Sequence, residues 1–139
     1  MNKRFTVTLG IFSFAVCAFA QNTRTIQVDV AYTGSGTVDA GHKIYVALWS
    51  SPQLNGNPVS VKSLETKKGI VIFTDVQNVP AYVSTAFDPT GRWDAQSPPP
   101  SGSSLGMYAA KPPTADPIDV AVGKTAKVKI TFDDTHKVP

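Results

Sequence analysis

Apolar residues recur at every second position in several short segments of this chain, and no long stretch places them at helical spacing. In the first such segment, Ile26, Val28 and Val30 alternate with the polar Gln27 and Asp29. Because side chains of a β-strand point alternately to opposite faces, this pattern predicts strands with one buried face. Seven segments show a strand pattern of this kind, at 25–32, 43–49, 59–64, 70–74, 81–87, 118–122 and 127–132.

Turn-forming residues lie between these segments, as in the run Asn55-Gly56-Asn57-Pro58. The short turns at 67–69 and 123–125 predict hairpins. Seven short strands separated by such turns predict an all-β fold, a single antiparallel seven-stranded β-sandwich of immunoglobulin-like or prealbumin-like type. The outward lysines of the last segment, Lys127 and Lys129, are typical of an edge strand that is guarded against aggregation.

One segment, residues 88–117, interrupts the strand pattern for thirty residues. It is rich in Pro, Gly and Ser and contains the runs 98–100 and 112–113, made only of proline. Loops of this length are uncommon in compact domains and are often functional. Gly and Pro favour a disordered loop, but its aromatic residues favour docking onto the sandwich, so we expect a packed and mostly extended loop rather than a flexible one. We expect no second domain.

The first twenty residues are typical of a secretory signal peptide. Lys3 and Arg4 precede an uncharged and mostly apolar run that ends Ala18-Phe19-Ala20. We therefore expect cleavage after residue 20, a β-sandwich domain at 21–139, and a secreted or periplasmic protein. An uncleaved membrane anchor is the alternative, although polar residues dilute the run. Lipidation of Cys17 is a less favoured alternative, because Val16 is not the small residue that this modification prefers before the cysteine.

Loss of the signal peptide changes the composition that matters for function. Cys17 is the only cysteine, so the remaining chain could form no disulfide, thiol nucleophile or cysteine-ligated zinc site. Lys3 and Arg4 are two of 13 basic residues, which leaves 11 against 10 acidic ones. This balance argues against nucleic acid and anionic membranes as partners.

The run FTDVQNVPAYVSTAFDPTG at 73–91 resembles the stretch F-x-N/D-V-P-x-x-Y-x-V-x-A-x-D-x-x-G of carboxypeptidase-regulatory-like and transthyretin-like sandwich domains. The early strand KIYVAL at 43–48 and the segment PPPSGSSLGMY at 98–108 are similar to small secreted bacterial β-sandwich proteins of unknown function. The resemblance covers most of residues 25–133. It implies a non-catalytic accessory module outside the cytoplasm.

Some of these relatives carry a calcium-like loop rich in Asp and Asn. At the corresponding position this chain offers only Asp88 and Asp94 as acidic ligands, with Arg92 between them. Calcium prefers six to eight oxygen ligands. We therefore expect no cofactor other than, at most, weakly bound calcium at Asp88 and Asp94.

Catalytic groups are sparse. The two histidines, His42 and His136, lie in polar loops, and no Gly-x-Ser-x-Gly nucleophile motif is present. The adjacent Asp133 and Asp134 would point to opposite faces of an extended chain. Two functional hypotheses are therefore less favoured: a small hydrolase that uses Asp88 and Asp94, and a structural or assembly role in which an edge strand pairs with a partner.

The aromatic residues of the long loop are stronger candidates for a functional site than these histidines and aspartates. Trp93 and Tyr108, with Arg92 nearby, suit stacking on a sugar ring or on a proline-rich peptide. Alternatively, Trp93 holds the loop to the sandwich with its indole N–H on a backbone carbonyl. We expect a non-catalytic accessory protein that binds or supports an envelope or extracellular protein or glycan. A carbohydrate-binding or other ligand-binding module based on these aromatics is the alternative.

Overall fold

The computed structural model describes residues 22–139, so the predicted signal peptide at 1–20 lies outside the described residues. Within this range the chain forms seven strands and no helix. Accordingly, residues 22–139 contain no helix that is long and apolar enough to cross a membrane. The strands are β1 (Thr25–Tyr32), β2 (Ile44–Trp49), β3 (Ser60–Leu64), β4 (Lys68–Phe73), β5 (Tyr82–Phe87), β6 (Ser104–Met107) and β7 (Thr125–Phe132).

The strands form a β-sandwich of two sheets, with strand orders β4-β1-β7 and β3-β2-β5-β6. The core is made by the alternating apolar residues that the sequence singles out. Ile26, Val28 and Val30 of β1 are buried, as are the matching positions of β2. The prediction of an all-β fold with seven strands in two sheets is therefore confirmed.

The prediction that the sandwich is wholly antiparallel is wrong. β1 pairs antiparallel with β4, but it pairs parallel with β7 along its whole length, from Thr25 opposite Thr125 to Tyr32 opposite Phe132. Alternation of apolar residues shows which face of a strand is buried and carries no information on strand direction. A parallel neighbour needs a long crossover connection, and β7 reaches β1 only after the chain has passed through the second sheet.

One of the seven predicted strands is also misplaced. Residues 118–122 form no strand, and only Ile118 makes an isolated bridge, to Ala81. The strand that the sequence did not predict is β6, which lies inside the predicted loop and pairs with β5. β6 has no apolar alternation because its inward position 106 is a glycine. A Cβ there would run into Phe132 and Thr85, so the space that a core side chain would need is already filled.

Neither predicted hairpin forms. Residues 68 and 69 of the turn predicted at 67–69 already belong to β4. The preceding strand, β3, lies in the other sheet, so the chain crosses the sandwich between β3 and β4. The turn at 123–125 has no strand before it. The edge position of the last strand is confirmed, because β7 ends the three-stranded sheet, and Lys127 and Lys129 are exposed there.

Asp134 joins three parts of the fold just after β7. Its Oδ1 accepts hydrogen bonds from the Tyr32 hydroxyl at 2.5 Å and from the Ser104 hydroxyl at 2.7 Å. Its Oδ2 accepts the backbone N–H of Ser35 at 3.0 Å. The end of β1, the loop that follows it and the start of β6 are therefore tied to the C-terminal segment by one carboxylate.

Hydrogen bonding makes the ionised form of Asp134 the stable one. The bonds from the Tyr32 and Ser104 hydroxyls hold the pKa of this carboxyl well below its usual value of 3.8. The Tyr32 ring is itself fixed between Phe87 and Phe132, with ring centroids 4.9 and 5.1 Å away. The carboxylate is thus anchored to the aromatic part of the core.

We predict that Asp134→Asn lowers the free energy of unfolding by about 1–3 kcal/mol, since it removes charge-assisted hydrogen bonds. Because the folded pKa is depressed, this contribution is present above about pH 4 and is lost as the pH falls below it. Urea unfolding between pH 2 and 7 measures both effects. Asp133→Asn is the matched control, because Asp133 bonds only within its own turn to Thr135. An equal loss of unfolding free energy in both variants would contradict the proposed stabilisation by the Asp134 hydrogen bonds.

We predict that Gly106→Ala destabilises the fold by about 1–3 kcal/mol, because the added methyl group overpacks the space beside Phe132 and Thr85. Thermal unfolding followed by circular dichroism measures the change. Gly41→Ala serves as the control, since a Cβ at Gly41 meets only Asp39 at an ordinary contact distance of 3.5 Å. A neutral Gly106→Ala variant would argue against the position of β6 in the second sheet.

Candidate functional site

A shallow cavity of about 250 Å³ opens at one end of the four-stranded sheet. At this end the start of β2 lies beside the end of β5, with Ile44 paired to Phe87. Two loops extend from these strand ends, one before β2 and one after β5, and the cavity lies where they meet. Its walls are Ala40, Gly41, Lys43, Tyr45, Asp88, Gly91 and Trp93.

Asp88 organises the loop after β5. Its side chain is buried, with 2% exposure, and its Oδ1 accepts the backbone N–H of Thr90 at 2.9 Å. Its Oδ2 accepts the backbone N–H groups of Arg92 and Trp93 at 3.1 and 3.0 Å. Burial works to raise the pKa of Asp88, but the bonds from Thr90, Trp93 and Arg92 outweigh it, so the pKa lies below its usual value.

The loop before β2 is held by a tight turn between Asp39 and His42. Their backbones exchange hydrogen bonds of 3.0 and 3.2 Å, and His42 Nδ1 lies 2.8 Å from Asp39 Oδ1. The two loops touch at Gly91, which has a φ of 68°. A Cβ at Gly91 would collide with the Gly41 carbonyl oxygen and with the His42 ring. Glycine is therefore required both by the backbone conformation and by the close approach of the loops.

Trp93 is fixed in the wall of the cavity by three contacts. Its ring meets Tyr45 edge-on, with centroids 4.9 Å apart and an interplanar angle of 76°. The Tyr45 hydroxyl donates to the Trp93 carbonyl at 3.3 Å, and the Trp93 indole N–H donates to the Ser97 carbonyl at 2.8 Å. The indole N–H thus lies on a backbone carbonyl, and the same half-buried ring also lines the cavity.

Lys43 and Tyr45 are members of the site that sequence reasoning did not select. Both lie at the start of the second predicted strand, and Tyr45 occupies one of its outward positions. Lys43 lines the cavity, and its Nζ lies 3.6 Å from Glu65 Oε1. The outward position of Tyr45 was visible in the alternation. Its meeting with Trp93 was not, because it depends on how the 88–94 loop folds back over β2.

The structure does not bring Trp93 and Tyr108 into one platform. Tyr45 alternates with the buried residues of β2, so Trp93 lies over the outer face of the four-stranded sheet. Tyr108 continues the inward side of β6, packs against the core, and donates its backbone N–H to Val83 at 3.0 Å. The two aromatic residues therefore belong to opposite faces of this sheet.

The second tryptophan of the chain lies away from the cavity. Trp49 is paired with Tyr82 at the opposite end of β2 and β5, about 13 Å along the strand from Tyr45. The Trp49 indole N–H donates to the Ser84 hydroxyl at 2.9 Å. Arg92 is exposed beside Trp93, and its backbone N–H is one of the groups on Asp88.

Asp88 and Asp94, the two residues considered for weakly bound calcium, accept hydrogen bonds in separate turns. Both Asp88 oxygens accept N–H groups of their own loop, and a cation there would face these donors. Asp94 is exposed and accepts the Gln96 backbone N–H at 3.0 Å, so it serves a separate turn. Residues 22–139 hold no group of three or more His, Cys, Asp or Glu side chains placed to hold a metal ion.

No protein-family model, curated protein or solved structure matches this chain. The resemblance to carboxypeptidase-regulatory-like and transthyretin-like domains therefore stays a prediction from the residues that carry it.

We predict that Asp88→Asn destabilises the protein by about 2 kcal/mol, because an amide cannot accept from all of the N–H groups that surround this position. The released loop also frees Trp93, so its fluorescence emission should shift to longer wavelength. Asp94→Asn is the control, and we expect a change within about 0.5 kcal/mol since Asp94 is exposed. Identical behaviour of the two variants would show that Asp88 does not organise the site.

Proposed function

We propose that this protein is a non-catalytic accessory protein, secreted or periplasmic, which acts by binding a ligand at the cavity between the two loops. The observation that carries the proposal is the fixed position of Trp93. Its ring is held by Tyr45 and by the Ser97 carbonyl, while part of it lines the cavity. An aromatic ring that is already immobilised loses little conformational entropy when a ligand stacks on it.

The chemistry of the walls favours a small polar ligand with an apolar face, such as a sugar unit of an envelope or extracellular glycan. Trp93 supplies a surface for stacking, and Lys43 supplies a charged hydrogen-bond donor. The cavity is open and smaller than most sites for drug-sized molecules, which suits one terminal or exposed unit of a larger chain. The proposal replaces Tyr108 by Tyr45 as the second aromatic of the site and keeps Arg92 at its exposed rim.

Two features support binding over hydrolysis. The pKa of Asp88 is lowered, and both of its oxygens accept hydrogen bonds from the loop, so it is poorly suited to donate a proton to a leaving group. Asp94 is exposed and engaged with Gln96. A glycosidase needs one carboxyl with a raised pKa facing a second across the scissile bond.

We also propose that the sandwich is a carboxypeptidase-regulatory-like or transthyretin-like domain. The two-sheet sandwich agrees with a carboxypeptidase-regulatory-like or transthyretin-like domain, as it would with many other β-sandwiches. The proposed compartment rests on the basic and apolar residues at 1–20.

Tryptophan fluorescence tests the binding site directly, because Trp93 and Trp49 are the only tryptophans of the chain. We predict that titration with a panel of oligosaccharides and cell-wall fragments produces a saturable change in emission. The change should vanish in Trp93→Phe and persist in Trp49→Phe, which removes the tryptophan at the far end of the sheet. Lys43→Gln should weaken binding without unfolding the protein, because Lys43 is partly exposed.

A flat response across the panel, with a native β-type circular dichroism spectrum, would overturn the glycan proposal. Binding that survives in Trp93→Phe but not in Trp49→Phe would move the site to the opposite end of the sheet. Release of reducing sugar that is lost in Asp94→Asn would contradict the non-catalytic assignment.

A further inference from the structure

The two sheets of residues 22–139 have four edges, and three of them are protected. The β6 edge is covered by the C-terminal segment, since Leu105 donates its N–H to the His136 carbonyl at 2.8 Å. The β7 edge carries exposed Lys127 and Lys129. The β3 edge carries Lys62, which pairs with buried Val46 and so lies on the inward side of the sheet. Covering segments, edge lysines and inward charges all discourage strand pairing.

The β4 edge is different. Its residues 69–73, Gly-Ile-Val-Ile-Phe, include no charge and no proline. Ile70 and Ile72 are 56% and 46% exposed, and they are two of the four large apolar side chains that are exposed in the described part of the chain. β-Branched apolar residues on a free edge have a high tendency to pair with another strand.

The hydrogen-bonding groups of β4 that face outward can be identified from its register. The N–H of Tyr32 donates to the Lys67 carbonyl at 2.8 Å, so Lys67 forms a hydrogen-bonded pair with β1. In an antiparallel ladder such pairs alternate, which directs the N–H and C=O groups of Lys68, Ile70 and Ile72 away from β1. The hydrogen bonding of Lys68 is consistent with this register, because its carbonyl accepts the Thr66 hydroxyl at 2.7 Å rather than an N–H of β1.

The charges at the two ends of β4 indicate which strand would pair with this edge. Lys67 and Lys68 stand at one end and Asp75 just beyond the other. Antiparallel pairing of two copies of β4 brings the basic end of each copy to the acidic end of the other. Parallel pairing would bring like charges together.

One register satisfies both the backbone and the charges. Placing Ile70 opposite Ile72 of a second copy aligns the outward N–H and C=O groups in four hydrogen bonds. It puts the isoleucines in contact on one face and sets Asp75 beside the lysines at each end. A shift of two residues would place Asp75 opposite Glu65 and Lys68 opposite Ile72.

We propose that the protein forms a symmetric dimer by antiparallel pairing of β4 with β4 of a second copy, giving a continuous six-stranded sheet. The interface is isologous and uses the only unprotected edge of the described residues, so pairing closes at the dimer. This interface is much smaller than the roughly 20–30 residues a side of a standard one, so we expect a dissociation constant of about micromolar or weaker. The inference is independent of the proposed ligand site, which lies on the other sheet.

Sedimentation velocity of the purified protein over a wide concentration range tests the dimer. Ile72→Lys should raise the dissociation constant about tenfold or more, because it introduces a charge and removes apolar area from both halves of the interface. Ile72→Thr keeps the β-branched shape and should weaken the dimer less. Val122→Lys is the matched control, since Val122 is 48% exposed but lies outside β4. It should leave the dissociation constant unchanged.

Amide hydrogen exchange tests the register. The N–H groups of Ile70 and Ile72 should exchange quickly in dilute protein and become protected as the concentration rises. Those of Val71 and Phe73, which face β1, should be protected throughout. A chain that stays monomeric at millimolar concentration would overturn the proposal. Concentration-dependent protection outside β4, or equal loss of the dimer in Val122→Lys, would overturn it as well.

Discussion

The central strand of the three-stranded sheet, β1, is the element on which the sandwich depends. It is hydrogen-bonded along its length to β4 on one side and to β7 on the other, and its inward residues Ile26, Val28 and Val30 are fully buried. At its end, Tyr32 carries the connection further, since its ring packs on Phe87 of the opposite sheet and its hydroxyl bonds to Asp134. Backbone pairing, apolar packing and one charged hydrogen-bond cluster therefore meet along a single strand.

A second carboxylate plays a corresponding part at the proposed site. Asp88 follows β5 directly and accepts three backbone N–H groups, those of Thr90, Arg92 and Trp93, which gives the loop a definite shape. That shape brings Trp93 onto Tyr45 and brings Gly91 against the neighbouring loop. Both carboxylates act through hydrogen bonds to their ionised form, so acid should loosen the C-terminal cluster and the binding loop together.

The two proposed surfaces lie on different sheets. The ligand cavity is at the end of the four-stranded sheet, between loops, whereas the unprotected β4 edge belongs to the three-stranded sheet. A dimer formed through β4 would therefore leave both cavities available and present two sites on one particle. For a polymeric ligand such as a glycan, two linked sites of modest affinity bind more tightly than one, provided that the ligand can reach both.

Local patterns in the sequence were enough to predict the all-β class and six of the seven strands, all except β6, close to their observed bounds. They predicted these features because burial of one strand face and turn chemistry are properties of neighbouring residues. Strand direction, the partner sheets of β3 and β4, and the strand β6 at Gly106 were decided only by the tertiary structure. These depend on which distant segments share a hydrogen-bond ladder and on how much space Phe132 leaves. The same distinction holds for the candidate site, where the sequence identified Asp88 and Trp93 as loop residues. Their proximity to Tyr45 and Lys43, and the position of Tyr108 on the other face of the sheet, follow from contacts between remote parts of the chain.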